Sequence, residues 1–304
     1  MPNRREVLSQ MGAVITLGAT GAQAREPRKP LRVVDSQVHL WRNATPSSLH
    51  RQRSIFWVED LLPEMKAAGV DAAVICPPAF YPEGNETYRQ VVEQYPDRFA
   101  TWGFFPIDAP DREERIKTWR RPPYMLGLRY TFLYGDTPRY WTDGTMDWLW
   151  PAAEKAGVPL GFYGFGHLDT IADKAARHPG LKIVIDHMCA DVTRKGPDAF
   201  VDFPKLLTLS RYPNVAVKIS GMPAQSAESY PFRDTHELVR RCIETFGAAR
   251  CMWGTDLTRM PCSYRQCVTM FTEEMPWLEG ENQRLVMGEA IMRWLDFQPQ
   301  GWKA

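Results

Sequence analysis

Gln37 and His39 stand two residues apart at the end of the apolar run Val33-Val34-Asp35-Ser36-Gln37-Val38-His39-Leu40-Trp41. Side chains two apart on a strand point to the same face, so an amide and an imidazole would project together where the strand stops. That pairing suits metal ligation or proton transfer, and its competitor is a polar strand end whose histidine is merely hydrogen-bonded. Other short apolar runs also end in reactive side chains: Arg129, Tyr163, His187, Lys218 with Ser220, and Asp256. Two imidazoles and a carboxylate brought together could hold a divalent cation such as zinc, or move protons without one, and sequence spacing does not choose between these.

The elements that must bring these side chains together read as a repeating alternation. Apolar β-rich runs over 31–39, 71–77, 99–107, 125–132, 159–166, 181–188, 215–222 and 251–256 alternate with helical patterns over 56–69, 86–95, 112–120, 146–157, 168–177, 200–211, 234–246 and 264–275, and a last helix lies near 282–295. Eight such units predict a (β/α)8 TIM barrel as one domain over residues 25–304, and in that fold chemistry sits at the carboxyl ends of the strands. A doubly wound open sheet is the alternative, but no Gly-x-Gly-x-x-Gly turn follows the first strand.

Composition narrows the classes of function. The 304 residues are 44% hydrophobic and 24% charged, which is ordinary globular composition. Lys plus Arg number 37 against 36 for Asp plus Glu, so no charge excess points to nucleic acid. The six cysteines include no Cys-x-x-C pair and read as buried thiols. At the amino terminus, Arg4-Arg5 precedes a weakly apolar Gly/Ala-rich run that ends in Ala22-Gln23-Ala24, a small-x-small cleavage site. Residues 1–24 therefore resemble a twin-arginine signal peptide, which predicts recognition by the Tat export machinery and a periplasmic mature chain without a membrane span. A leader retained on a cytoplasmic protein is the competing reading.

Five separated motifs resemble signatures of the amidohydrolase-related family, within the superfamily of metal-dependent hydrolases built on TIM barrels. They are Asp35-Ser-Gln-Val-His39-Leu-Trp, Gly127-Leu-Arg129, the stretch from His178 to Asp186-His187, Asn214-Val-Ala-Val-Lys218-Ile-Ser220-Gly, and Trp253-Gly-Thr-Asp256. Their order holds from about Leu31 to Phe297, and the branch they are most similar to includes pyrone-dicarboxylate lactonase and sugar lactonases. The resemblance implies that His39 matches the second histidine of a first-strand His-x-His pair, His187 the sixth-strand histidine, and Asp256 the eighth-strand aspartate that activates water or shuttles a proton. Arg129 matches a fourth-strand arginine that faces a substrate carboxylate, a task for which a guanidinium fork is well shaped. Two positions depart from the pattern: Gln37 stands where the first histidine belongs, and no histidine ends the fifth strand. An amide oxygen is a poorer zinc ligand than imidazole nitrogen. The sequence therefore favours a metal-free site, with one divalent cation on His39, His187 and Asp256 as the alternative.

The expected catalytic residues are Asp256, His187 and His39, and the expected substrate-binding residues are Arg129, Lys218, Ser220, Tyr163, Gln37 and Trp41. For Arg129 the competing role is an interior ion pair, for Lys218 a bridge to a buried acid, and for Tyr163 and Gln37 packing or support of a neighbouring group. Trp41, Phe80, Tyr81 and Phe105 could wall a flat or ring-shaped substrate. His50, His178 and His236 read as surface or capping residues. The predicted function is an enzyme that hydrolyses a small lactone or related carboxylated compound, with an anionic small molecule as its partner. A decarboxylase or hydratase on the same barrel and a non-catalytic periplasmic binding protein are the alternatives.

Overall fold

The computed structural model describes residues 30–81, 84–120, 124–133 and 135–302. The proposed leader, residues 1–24, lies outside them.

From Leu31 onward the chain alternates strand and helix. The order is β1 (Val34–Val38), α1 (Val58–Ala68), β2 (Ala72–Ile75), α2 (Gly84–Gln94), β3 (Phe99–Gly103), α3 (Arg112–Lys117), β4 (Met125–Tyr130), α4 (Leu149–Ala156), β5 (Leu160–Phe162), α5 (Leu168–Arg177), β6 (Ile183–Ile185), α6 (Phe203–Thr208), β7 (Val215–Ser220), α7 (Met222–Gln225), α8 (His236–Phe246), β8 (Cys251–Gly254) and α9 (Tyr264–Thr272). A last helical stretch follows from Gly280 to Leu295, with a π-helical turn at Leu285–Glu289. All seven successive strand pairs are parallel, which makes the protein a (β/α)8 TIM barrel as expected.

Helices form where apolar positions recur on one face. α5 buries Leu168, Ile171 and Ala175, and α8 buries Val239, Cys242, Ile243 and Phe246. α9 starts at Ser263, whose hydroxyl accepts from Gln266 N while the Gln266 side chain accepts from Ser263 N, a reciprocal cap. These faces make the larger core between helices and barrel wall. A smaller core fills the barrel: Val74, Cys76, Trp102, Leu126, Val184, Ala216 and Met252 meet Ala290, Ile291, Leu295 and Phe297 of the last helix.

The seam where β8 meets β1 positions the site. Asp256 N donates to Gln37 O at 2.9 Å, and the buried Asp35 carboxylate gathers Thr255 N (2.9 Å), the Thr255 hydroxyl and the Tyr264 hydroxyl (2.7 Å). The strands approach so closely that a Cβ on Gly254 would collide with the Ser36 hydroxyl, so only glycine fits there. Burial pushes the Asp35 carboxyl up to about 6, although hydrogen bonds from Thr255, Gln37 N and Tyr264 pull it back down.

Candidate active site

His39, His187 and Asp256 converge above the filled barrel. His39 Nε2 lies 3.2 Å from Asp256 Oδ1, and His187 Nε2 lies 3.6 Å from Asp256 Oδ2. His39 is fixed by its other nitrogen, 2.6 Å from the Cys76 carbonyl. The backbone turns sharply to aim the other two: Asp256 has φ 57°, and His187, Met188 and Cys189 follow one another at φ 56°, 51° and 58°. Left-handed backbone at non-glycine residues costs on the order of 1–3 kcal/mol each, and such geometry concentrates at functional sites.

Asp256 is 1% exposed. Burial alone would raise its carboxyl, but the charges of His39 and Arg259, a hydrogen bond from His39 and the charge of His187 hold it well below the usual carboxylate range. Arg259 Nη1 sits 3.0 Å from Asp256 Oδ2, and its Nη2 donates to Val192 O at 3.0 Å. Among the described residues Asp256 Oδ1 makes no hydrogen bond of good geometry despite its short approach to His39. The carboxylate is thus ionised, paired with Arg259 through Oδ2 and set beside His39 Nε2 through Oδ1.

Gln37, Lys218 and Ser220 form a second tier. Lys218 is fully buried, and its ammonium reaches Gln37 Oε1 and Asp186 Oδ1, each at 3.0 Å. An ammonium only donates, so the Gln37 oxygen must face it and the amide NH2 must face His187 Nε2, 3.3 Å away. His187 Nδ1 is 2.9 Å from the Ser220 hydroxyl. The imidazole is therefore the Nδ1–H tautomer, accepting from Gln37 and donating to Ser220. Burial pushes its pKa down to about 4, against the opposing pull of Asp256 and Asp186, so it is neutral at ordinary pH. Arg129 Nε donates to Asp186 Oδ2 at 2.7 Å. Burial would raise Asp186, but Lys218 and Arg129, with smaller help from His187, hold it at about 2.

A cavity opens on this arrangement, ≈ 480 Å³ including its mouth, lined by His39, His50, Phe80, Arg129, Tyr163, His187, Asp256 and Arg259, with Leu49, Leu133 and Val192 among its apolar walls. The geometry sets several of the expected substrate-contact residues apart from the cavity lining. Lys218, Ser220 and Gln37 lie beneath the cavity with their polar atoms committed to protein partners, so they shape the floor. Trp41 is buried behind it, its indole donating to Arg53 O and its backbone paired with Phe56. Tyr81 and Phe105 also pack away from it, leaving Phe80 of the expected aromatic wall.

Two residues were not foreseen. His50 is no surface histidine: Nδ1 is 2.8 Å from the Thr258 hydroxyl, and the ring stands edge-on to His39 and Phe80 with centroids 5.2 and 5.3 Å away. Burial pushes its pKa down to about 3. Arg259, which orients Asp256, carried a readable signal, since it follows the aspartate by three residues in Asp-Leu-Thr-Arg.

The superfamily implies a divalent metal, and the donor set here does not fit one. Lys218 fixes Gln37 so that an amide NH2, a donor, stands at the His187 nitrogen a metal would need. The Arg259 guanidinium already occupies the side of Asp256 nearer His187, and a dication there would face its positive charge at contact distance.

The sequence profile of the amidohydrolase family matches residues 34–295. The chain belongs to that family. Among curated relatives, the L-fucono-1,5-lactonase of Burkholderia ambifaria is 25% identical over 233 residues, 73% of this chain and 79% of the relative. A Burkholderia multivorans amidohydrolase solved with bound zinc superposes with a TM-score of 0.74 at 18% identity, covering 88% of this chain and all of the other. An Acinetobacter baumannii chain, provisionally named a 2-pyrone-4,6-dicarboxylic acid hydrolase and solved with citric acid, gives 0.70 at 15% identity with the same coverage. This chain is thus an enzyme of the amidohydrolase family. No helix among its described residues is long and apolar enough to cross a membrane.

Proposed function

We propose that the protein opens a small lactone or cyclic ester, preferably one that carries a carboxylate, by general-base attack of water. The observation that carries this reading is the buried Asp256 carboxylate, ionised, fixed by Arg259 on Oδ2 and set with Oδ1 beside His39 at the cavity. In the proposed sequence Asp256 Oδ1 takes a proton from water as the oxygen adds to the lactone carbonyl. The ring C–O bond then breaks, and the leaving alkoxide recovers a proton from the His39–Asp256 pair, so the product is an open hydroxy acid. His187 lines the cavity in a neutral, single-tautomer state, and its fixed dipole helps orient the carbonyl.

Arg129, Lys218 and Arg259 give three cations around the site against the two carboxylates Asp186 and Asp256. That local balance, with Arg129 and Arg259 lining the cavity, supports an anionic substrate group. The similarity to the L-fucono-1,5-lactonase supports the reaction class. The decisive experiment offers the enzyme aldonolactones and carboxylated pyrones in a weakly buffered indicator assay and identifies the products by mass spectrometry. Acid release with addition of one water supports the proposal. Carbon dioxide release would replace it with decarboxylation, and tight binding without turnover would replace it with a ligand carrier.

The paired-arginine leader supports export of the folded chain through the Tat machinery to the periplasm. Amino-terminal sequencing of the protein from its native cell tests this, and a chain still beginning at Met1 in the periplasmic fraction would refute cleavage after Ala24.

A further inference from the structure

Away from the active site, two thiols face each other across the start of α9. Cys262 Sγ and Cys267 Sγ are 3.5 Å apart, Cys262 half-buried and Cys267 buried. The segment between them is held by the reciprocal Ser263–Gln266 cap, which fixes the last loop residue against the first turn of the helix. The thiols are therefore presented to one another by a rigid helix start. The hydrogen bond between them lowers the Cys262 thiol, while the same bond and burial raise Cys267. The more exposed cysteine is thus also the more readily ionised, the property that selects an attacking thiol.

We propose that Cys262 and Cys267 form a reversible intrachain disulfide when the folded protein meets a disulfide oxidant of the glutathione class. In the first step the Cys262 thiolate attacks a sulfur of glutathione disulfide and releases one glutathione thiolate, leaving a mixed disulfide. Cys267 then loses its proton, attacks Cys262 Sγ and releases the second glutathione. Two electrons pass from the two protein thiols to glutathione disulfide, and the two protons end on the two glutathione molecules. The sulfurs must close from 3.5 Å to ~2.05 Å to form the bond.

The bond would staple the segment that leads from Arg259 into α9, and within it lies Tyr264, whose hydroxyl donates to Asp35 at the barrel seam. A staple there holds the seam from outside. The leader adds a reason for the pair, because export would carry it from a reducing to an oxidising compartment after folding. The proposal rests on the thiol geometry and stands whether or not the enzyme is a lactonase.

The test incubates the purified, folded full-length chain with glutathione disulfide, then denatures and alkylates it. Free thiols should fall from six to four, and digestion at Lys and Arg should yield residues 260–265 joined to residues 266–284, since Arg265 lies between the two cysteines. Dithiothreitol should restore six. Cys262→Ser should keep its remaining five thiols free, whereas Cys267→Ser should stop at a glutathione adduct on Cys262. The oxidised protein should unfold at a higher temperature than the reduced one. Six thiols remaining, a stable glutathione adduct on the unmutated chain, a linkage elsewhere, or a lower unfolding temperature on oxidation would each overturn the proposal.

Discussion

Replacing Lys218 with methionine tests whether the lysine builds the site floor or contacts substrate. Met keeps most of the aliphatic stem and removes the ammonium that reaches Gln37 and Asp186. The Asp186 carboxyl is held at about 2 against an ordinary 3.8, a difference of roughly 2.4 kcal/mol in favour of the ionised form, and the charge of Lys218 is the largest single cause that lowers it. Removing one partner of a buried ion pair costs about 3–5 kcal/mol, and Arg129 remains 2.7 Å away to keep the loss near the lower end. At about 2 cal/mol/K per residue for the roughly 270 residues of the barrel, a loss of about 3 kcal/mol lowers Tm by about 5 °C. Calorimetry at pH 7 measures this. The pH dependence adds an independent check: the depressed carboxyl stabilises the fold above pH 3.8 and loses that contribution as pH falls through about 2. In the variant the loss should begin at higher pH. The freed Gln37 amide should also release His187, lowering kcat more than it raises KM. An unchanged Tm with a raised KM alone would refute the floor assignment and return Lys218 to substrate binding.

Asp256→Asn should lower kcat by about 10³-fold or more and also lower Tm, because it strips Arg259 of its buried partner; a rate within tenfold of the unmutated enzyme in the folded variant would dismiss Asp256 as the base. The plot of kcat/KM against pH should stay flat through neutrality and fall below about pH 4 as His187 takes a proton at the nitrogen that accepts from Gln37, so an acid limb centred near 6.5 would refute its neutral assignment. His50 and His187 bind protons more readily when unfolded, so stability falls with pH below 6.5 by up to about 2.7 kcal/mol per unit. Asp35 acts oppositely: its raised pKa contributes up to about 3 kcal/mol below pH 3.8, lost as pH rises through about 6. Asp35→Asn cannot titrate, so the stability difference between the unmutated protein and the variant should move in favour of the unmutated protein as pH falls from 7 to 4, and a pH-independent difference would contradict the raised value.

Period and composition carried the architecture because each element declares itself locally. α5 was expected over 168–177 and occupies Leu168–Arg177, since its apolar spacing and the Gly166-His167 break are both contained in the segment. Where chemistry depends on motif and strand end together, as at His39, His187 and Asp256, the sequence also placed the residues that meet. The floor was harder to read. Lys218 and Gln37 are 181 positions apart, and nothing local to either announces the other, although a bridge from Lys218 to a buried acid was one of its two expected uses. Asp186 stood unremarked beside His187 because its role exists only once Arg129 and Lys218 reach it from other strands. His50 comes from a loop without periodicity, and its burial depends on Thr258 and Phe80 closing over it.

The meeting of β8 with β1 has a consequence for biosynthesis. Asp256 owes its orientation partly to Gln37, and Thr255 is tied to Asp35 across 220 positions of sequence. On the proposed mechanism, a nascent chain therefore holds no working base until its final strand has emerged and found its first. Contacts of such long range are slow to form, so the incomplete polypeptide carries an open sheet edge without catalytic power. Maturation of this enzyme and completion of its barrel are one event, and a fragment that ends before Asp256 should be inert however well its earlier units pack.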